Sequence, residues 1–147
     1  EIENCEVKSI VKNDKMLTIF MQKNEPITNK EVFSIYSDLL SSNIILESFS
    51  RENSYLQFRI KKSEQNKVQE ILEKRYPEFN IVQNNYIKLT IVGYGITQDN
   101  IILSKIIKYL KNKNIYIFDI NLNQSKIEII LDELENSYLE ELHKMLI

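Results

Sequence analysis

The stretch that decides the fold is Met16-Leu17-Thr18-Ile19-Phe20-Met21, because what it begins happens twice. Leu17-Thr18-Ile19 returns seventy-two positions later as Leu89-Thr90-Ile91. Asn43-Ile44 returns as Asn114-Ile115, and Leu56-Gln57-Phe58-Arg59-Ile60 as the strand pattern Ile127-Glu128-Ile129-Ile130-Leu131, each seventy-one positions on. Val68-Gln69-Glu70-Ile71 is matched in character by Leu139-Glu140-Glu141-Leu142. Four matched segments at a nearly constant offset mark an internal repeat. The 147 residues therefore read as two units of about seventy.

Each unit reads strand, helix, strand, strand, helix. In the first, Met16 to Met21 is rich in β-forming residues and a polar loop, Gln22 to Thr28, follows. Thr28 with Glu31 three residues on is a capping box, opening a helix whose expected apolar face is Val32, Phe33, Tyr36, Leu39 and Leu40. Ile44 to Phe49 and Ser54 to Ile60 form an expected antiparallel pair turned by Ser50-Arg51-Glu52-Asn53. Ser63 is the expected cap of a second helix bearing Val68, Ile71, Leu72 and Tyr76, ended by Pro77. The second unit runs Lys88 to Val92, helix Ile101 to Leu110, strands Ile115 to Ile120 and Lys126 to Leu131, and a last helix from about Glu133 to Leu146. The spacing of Leu134, Tyr138, Leu139, Leu142 and Met145 predicts one buried face on that last helix.

Two extended segments remain, Glu6 to Val11 and Phe79 to Gln83. A βαββα unit needs one more strand to complete a ferredoxin-like βαββαβ layout of helices over one face of an antiparallel sheet. Phe79 to Gln83 supplies it for the first unit. No extended segment is left over after the last helix, so the N-terminal strand is expected to complete the second. The expected class is α+β, with residues 15–86 as a first domain inserted in a second formed by 1–14 plus 87–147.

Composition narrows the chemistry. Nineteen Lys and Arg against twenty-one Asp and Glu leave a net charge of −2 with the signs interspersed, which disfavours a nucleic-acid binder. No apolar run approaches the ~20 residues of a bilayer span, and no charged-then-apolar leader is present, so no membrane partner and a cytoplasmic location are expected. Cys5, the one cysteine, has no internal partner for a disulfide. There are twenty-four Ile, sixteen Asn, two Gly (Gly93 and Gly95), two Pro (Pro26 and Pro77) and no Ala. So few glycines argue against a Gly-rich nucleotide loop, and His143, the only histidine, falls near the end of a predicted helix as a structural residue. No G-x-x-x-x-G-K-[ST] or C-x-x-C pattern occurs. The carboxylates fall mostly on helix faces and strand ends, where solvation or capping accounts for them. No catalytic residue, cofactor or metal site is expected. A small ferredoxin-like hydrolase of the acylphosphatase type needs an Arg and an Asn on a phosphate loop, and neither first loop holds an Arg.

The layout and several residues resemble the regulatory region of aspartate kinases, a tandem pair of ACT domains in which the N-terminal strand likewise joins the second sheet. Leu17-Thr18-Ile19 precedes a loop in which Pro26 stands seven residues before Phe33, the spacing of the family's D-x-P-G-x-x-x-x-V-F. Ile91-Val92-Gly93-Tyr94-Gly95-Ile96 is similar to its I-V-G-x-G-M, and Glu141-Leu142-His143 to its A-L-H. The family's catalytic signature K-F-G-G-T-S is not among these residues. A chain beginning at Glu1 without Met is expected to be part of a longer polypeptide carrying that kinase domain.

The resemblance implies allosteric feedback control by an end-product amino acid, lysine or threonine, and dimerisation through the ACT domains. Loop amides and the free N–H groups of the helix start would hold the ligand's α-carboxylate. By residue-wise carry-over the first site would use Asn24, Glu25, Ile27 and Thr28, with Phe49 and Ser50 on the facing strand. The second would use Gly95, Ile96, Asp99, Asn100 and Ile101, with Asn121 and Asn123. Asn24 stands in place of the family's Asp and Ile27 in place of the Gly after Pro26, while Asn100 and Ile101 replace the second Pro-Gly. A pure assembly module that has lost its ligand pocket, or a free-standing amino-acid sensor, is the alternative expectation.

Overall fold

The computed structural model describes residues 6–147; Cys5 and the start of the expected 1–14 segment lie outside the described residues. The elements are β1 (Glu6–Gln22), α1 (Asn29–Ser41), β2 (Ser48–Arg51), β3 (Tyr55–Lys61), a 3-10 turn (Lys62–Glu64), α2 (Gln65–Arg75), β4 (Asn80–Tyr94), α3 (Ile101–Asn112), β5 (Ile117–Asn123), β6 (Lys126–Leu131) and α4 (Asn136–Leu146). The class is mixed α+β with antiparallel strand pairs. The chain divides into two compact units, Lys15–Asn85 and a second made of Tyr86–Ile147 with the described residues up to Asp14.

In the Lys15–Asn85 unit the strand order is β2-β3-β1-β4. Leu17 lies opposite Ile60, Ile19 opposite Phe58 and Met21 opposite Leu56, so alternate residues present one apolar face. That face packs on Ile35 and Leu39 of α1 and Val68 and Leu72 of α2, all buried. The expected face of α1 is corrected by this packing. Val32, Ile35 and Leu39 point inward, whereas Phe33, Tyr36 and Leu40 are 70%, 40% and 47% exposed. Two apolar stripes of equal helical period lie side by side on α1, and the period alone does not select between them. Ser63 is no cap either: the chain enters a 3-10 turn first, and α2 starts beyond it without a side-chain cap. Glu64 there accepts the Ile45 N–H at 2.8 Å.

The second unit orders its strands β1-β4-β6-β5. Leu89 pairs with Ile129 and Ile91 with Ile127, and these four pack against Ile102, Ile106 and Leu110 of α3 and Leu142 of α4. Of the face expected on α4, Met145 is instead 39% exposed. A Cβ placed on Gly93 would meet the Glu6 carbonyl oxygen at 2.1 Å and Val7 Cα at 2.9 Å. Gly93 thus permits the close approach of β1 to β4, while Gly95 alone of the two takes a positive φ, 63°.

Two pairs of expected strands merge. Glu6 to Val11 and Met16 to Met21 belong to one 17-residue strand, and Phe79 to Gln83 and Lys88 to Val92 fall almost wholly within one of 15 residues. Their polar middles carry no Gly or Pro, so nothing in them breaks an extended backbone. β2 and β5 begin later than expected because Ile44 and Ile115 belong to the helix-ending turns.

Each unit ties its two helices with a tyrosine, a carboxylate and a cation. Tyr76 donates to Asp38 Oδ2 at 2.5 Å, and Arg75 pairs with Asp38 at 2.9 Å. In the other unit Tyr109 donates to Glu141, with Lys113 at 3.7 Å from that carboxylate and over the Tyr138 ring at 5.0 Å. The tyrosine and the carboxylate have exchanged helices between the repeats.

Candidate functional site

The loop between β1 and α1 is held from within and from the β2–β3 hairpin. Ile27 is 1% exposed and packs into the core of its unit. Its backbone is not among the positive-φ positions, so this loop does not need the glycine found there in the resembling family. Its N–H donates to the Asn53 carbonyl at 2.9 Å, and its own carbonyl accepts from Arg51 at 2.6 Å. Arg51 also donates to Asn29 Oδ1 at 2.5 Å. Arg51 carries no signal in the sequence because it falls in a segment that reads as a turn; its partners lie more than twenty residues away.

The capping box forms as the spacing predicts. Thr28 N–H donates to Glu31 Oε1 at 2.9 Å, and Glu31 N–H donates to Thr28 Oγ1 at 3.2 Å. Lys23 Nζ closes on Glu31 Oε2 at 2.5 Å. The Lys23 ammonium, followed by the Thr28 amide, holds the Glu31 carboxyl below its usual range. Bonding to Glu31 raises Lys23 in turn.

Asn24 and Glu25 are exposed, and Asn24 joins Gln22, Lys23, Ser54, Tyr55 and Asn80 around a polar cavity of about 240 Å³. Phe49 is turned into an aromatic cluster, 4.9 Å from the Tyr36 ring and 6.0 Å from that of Phe58. Ser50 is exposed on β2 opposite Gln57.

The loop before α3 is anchored by Ile96, which is fully buried. Thr97 Oγ1 donates to the Asn123 carbonyl at 2.7 Å, tying the loop to the β5–β6 turn. Asn123 Oδ1 accepts the Ser125 N–H at 3.1 Å, and Asn121 sits on β5 opposite Glu128. Asp99 Oδ1 accepts the Ile101 N–H at 2.9 Å. Asn100 is the N-cap residue without a side-chain cap bond, and Ile101 is 57% exposed. A mostly apolar cavity of about 400 Å³ adjoins this helix start, lined by Asn100, Leu103, Ser104, Ile107, Lys108 and Lys111. Among the described residues no group of three His, Cys, Asp or Glu is placed to hold a metal ion, and no helix is long and apolar enough to cross a membrane.

No protein-family model matches the chain, and no curated protein matches it by sequence. Solved structures do match. The ligand-free regulatory subunit of aspartate kinase from Thermus thermophilus superposes with a TM-score of 0.79 at 17% identity, covering 94% of this chain and 97% of that one. The aspartate kinase of Clostridium acetobutylicum, described as an allosteric enzyme, superposes at 0.76 with 16% identity over all of this chain and 36% of its own. Aspartokinase III of Escherichia coli, in complex with lysine and aspartate, gives 0.70 at 10% identity over 99% of this chain and 34% of its own. This chain has the fold of the regulatory part of aspartate kinases.

Proposed function

We propose that this chain is the non-catalytic regulatory region of an aspartate kinase, controlled by an end-product amino acid, lysine or threonine. The observation that carries this reading is the likeness to the Thermus thermophilus regulatory subunit, which spans nearly the whole of both chains. In this reading the chain is a tandem pair of ACT domains, residues 15–86 inserted between 1–14 and 87–147. The lysine complex of the Escherichia coli structure supports an amino-acid effector, and the kinase chains of which the match covers 36% and 34% support a catalytic domain in the same polypeptide. Homodimerisation through the ACT domains and a cytoplasmic location belong to the same proposal.

The proposed effector contacts come from the two loops: Asn24, Glu25, Ile27 and Thr28 with Phe49 and Ser50, and Gly95, Ile96, Asp99, Asn100 and Ile101 with Asn121 and Asn123. An effector shifts a kinase between active and inhibited forms only by preferring one of them. A tenfold preference corresponds to about 1.4 kcal/mol per site. Calorimetry of the chain against the twenty amino acids tests the reading: lysine or threonine gives a saturable isotherm, and silence from both removes the effector.

A second reading, an assembly module without a ligand, is favoured by the carboxylate of Glu31 lying on the first loop's own amide. Light scattering separates the two. An assembly module associates to the same extent with and without amino acids, whereas an effector-gated one changes its association or stability.

A further inference from the structure

On α3 the second repeat carries a charge pattern that the first lacks. Lys105, Lys108 and Lys111 are exposed there, and the helix Ile101–Asn112 holds no acidic residue. Seventy-one positions earlier, on α1, stand Ser34, Ser37 and Leu40. Among the described residues these three lysines enter no ion pair, whereas Lys113 just beyond them lies 3.7 Å from Glu141. A chain of net charge −2 thus gathers cations without acidic partners on one helix. Beside them lies an apolar groove. The cavity of about 400 Å³ along α3 adjoins one of about 620 Å³ lined from α3 and the start of the edge strand β5, with Ile107 and Lys111 in the walls of both. Leu103, Ile107, Ile115 and Ile117, all half-buried, form the floor, and Tyr116, 63% exposed, completes the wall. Lys108 and Lys111 rim it.

We propose that this groove is the docking site of an acidic polypeptide segment, whose aliphatic or aromatic side chains cover the floor while its carboxylates meet Lys108 and Lys111. The apolar floor supplies affinity by leaving water, and cations of one sign on the rim select the charge of the partner. A second copy of this chain presenting the same face is disfavoured, because a two-fold pairing brings Lys108 and Lys111 towards like charges. Single-stranded nucleic acid would find the cations but meet a floor of aliphatic side chains, which offer its bases no stacking platform. Ile107, Lys108 and Lys111 are not among the contacts proposed for an amino-acid effector, so this docking goes beyond the regulatory reading and is tested apart from it.

The probe is a short synthetic peptide with a Leu-Trp-Leu centre flanked by Glu on both sides. The chain contains no tryptophan, so the emission reports on the peptide alone. Titration with the whole chain is expected to give a saturable blue shift as the indole leaves water for the groove. Replacing every Glu of the peptide by Gln should weaken binding at least about tenfold, and so should the double variant Lys108→Gln, Lys111→Gln. Added salt should weaken the Glu peptide far more than the Gln peptide. Ile107→Ala, which removes part of the floor, should reduce the blue shift; should that variant not fold, the exposed lysine pair carries the comparison. Equal affinity for the Glu and Gln peptides overturns the proposal, as does unchanged binding by the lysine variant or the lack of any shift. A dimer of the unaltered chain that either variant breaks, read by sedimentation, places a second copy on this face and overturns it too. Displacement of the peptide by oligothymidylate more readily than by the same peptide with Phe for Trp does likewise.

Discussion

Asn43 and Asn114 adopt the same left-handed backbone, φ 62° and 57°, one residue past the C-caps of α1 and α3. Ile44 N–H reaches back to the Leu39 carbonyl and Asn43 N–H to that of Leu40; Ile115 and Asn114 do the same to Leu110 and Lys111. These are two Schellman turns, and they explain why Asn-Ile is one of the pairs repeated in the sequence: asparagine tolerates the left-handed region and the isoleucine behind it packs inward. Replacing either Asn with Ala is expected to lower stability by about 1 kcal/mol, and with Gly to leave it nearly unchanged. Urea unfolding of the four single variants checks this, and an Ala variant as stable as the Gly variant contradicts it.

Ile27 separates a plugged pocket from a structural anchor. Its side chain sits in the core, so Ile27→Ala is expected to lose about 2–4 kcal/mol and to gain no affinity for amino acids. A variant of unchanged stability that binds lysine more tightly would show instead that Ile27 merely fills a ligand site.

Gly93→Ala is expected to destabilise by about 3 kcal/mol, because the added methyl meets backbone of β1, which has no rotamer to yield. Thermal unfolding reads the loss. An unperturbed midpoint would mean that β1 does not approach β4 at Glu6 and Val7.

Acid and alkali should act through different residues. Glu31 is lowered below its ordinary 4.5, so its contribution is complete above that pH and lost as pH falls through the lower folded value. Glu31→Gln should therefore flatten the acid limb of the stability profile. Tyr109 is raised above 10.0 by burial and by the Glu141 carboxylate it bonds, so its contribution is complete below pH 10 and lost as pH climbs above it. Tyr109→Phe should flatten the alkaline limb, as Tyr76→Phe should in the other unit, where burial and then Asp38 push Tyr76 up. Unfolding midpoints across pH measure both limbs.

Much of the fold was legible because the signals were local. The capping box at Thr28 and Glu31, α3 starting at Ile101 and β6 over Lys126 to Leu131 lie where spacing puts them. Legibility ended where two local patterns were equivalent, as on α1, or where polar residues continue a strand, as between Val11 and Met16. The candidate site was less legible for the same reason. Thr28 and Glu31 announce a cap three residues apart, but nothing local says that Lys23 and Arg51 converge on that loop from a strand end and a distant hairpin.

The most direct test of the central claim is isothermal titration calorimetry of this chain with lysine and with threonine. A regulatory region under amino-acid control is expected to give a saturable isotherm with one of them. No heat from either amino acid, with the chain folded, would contradict it.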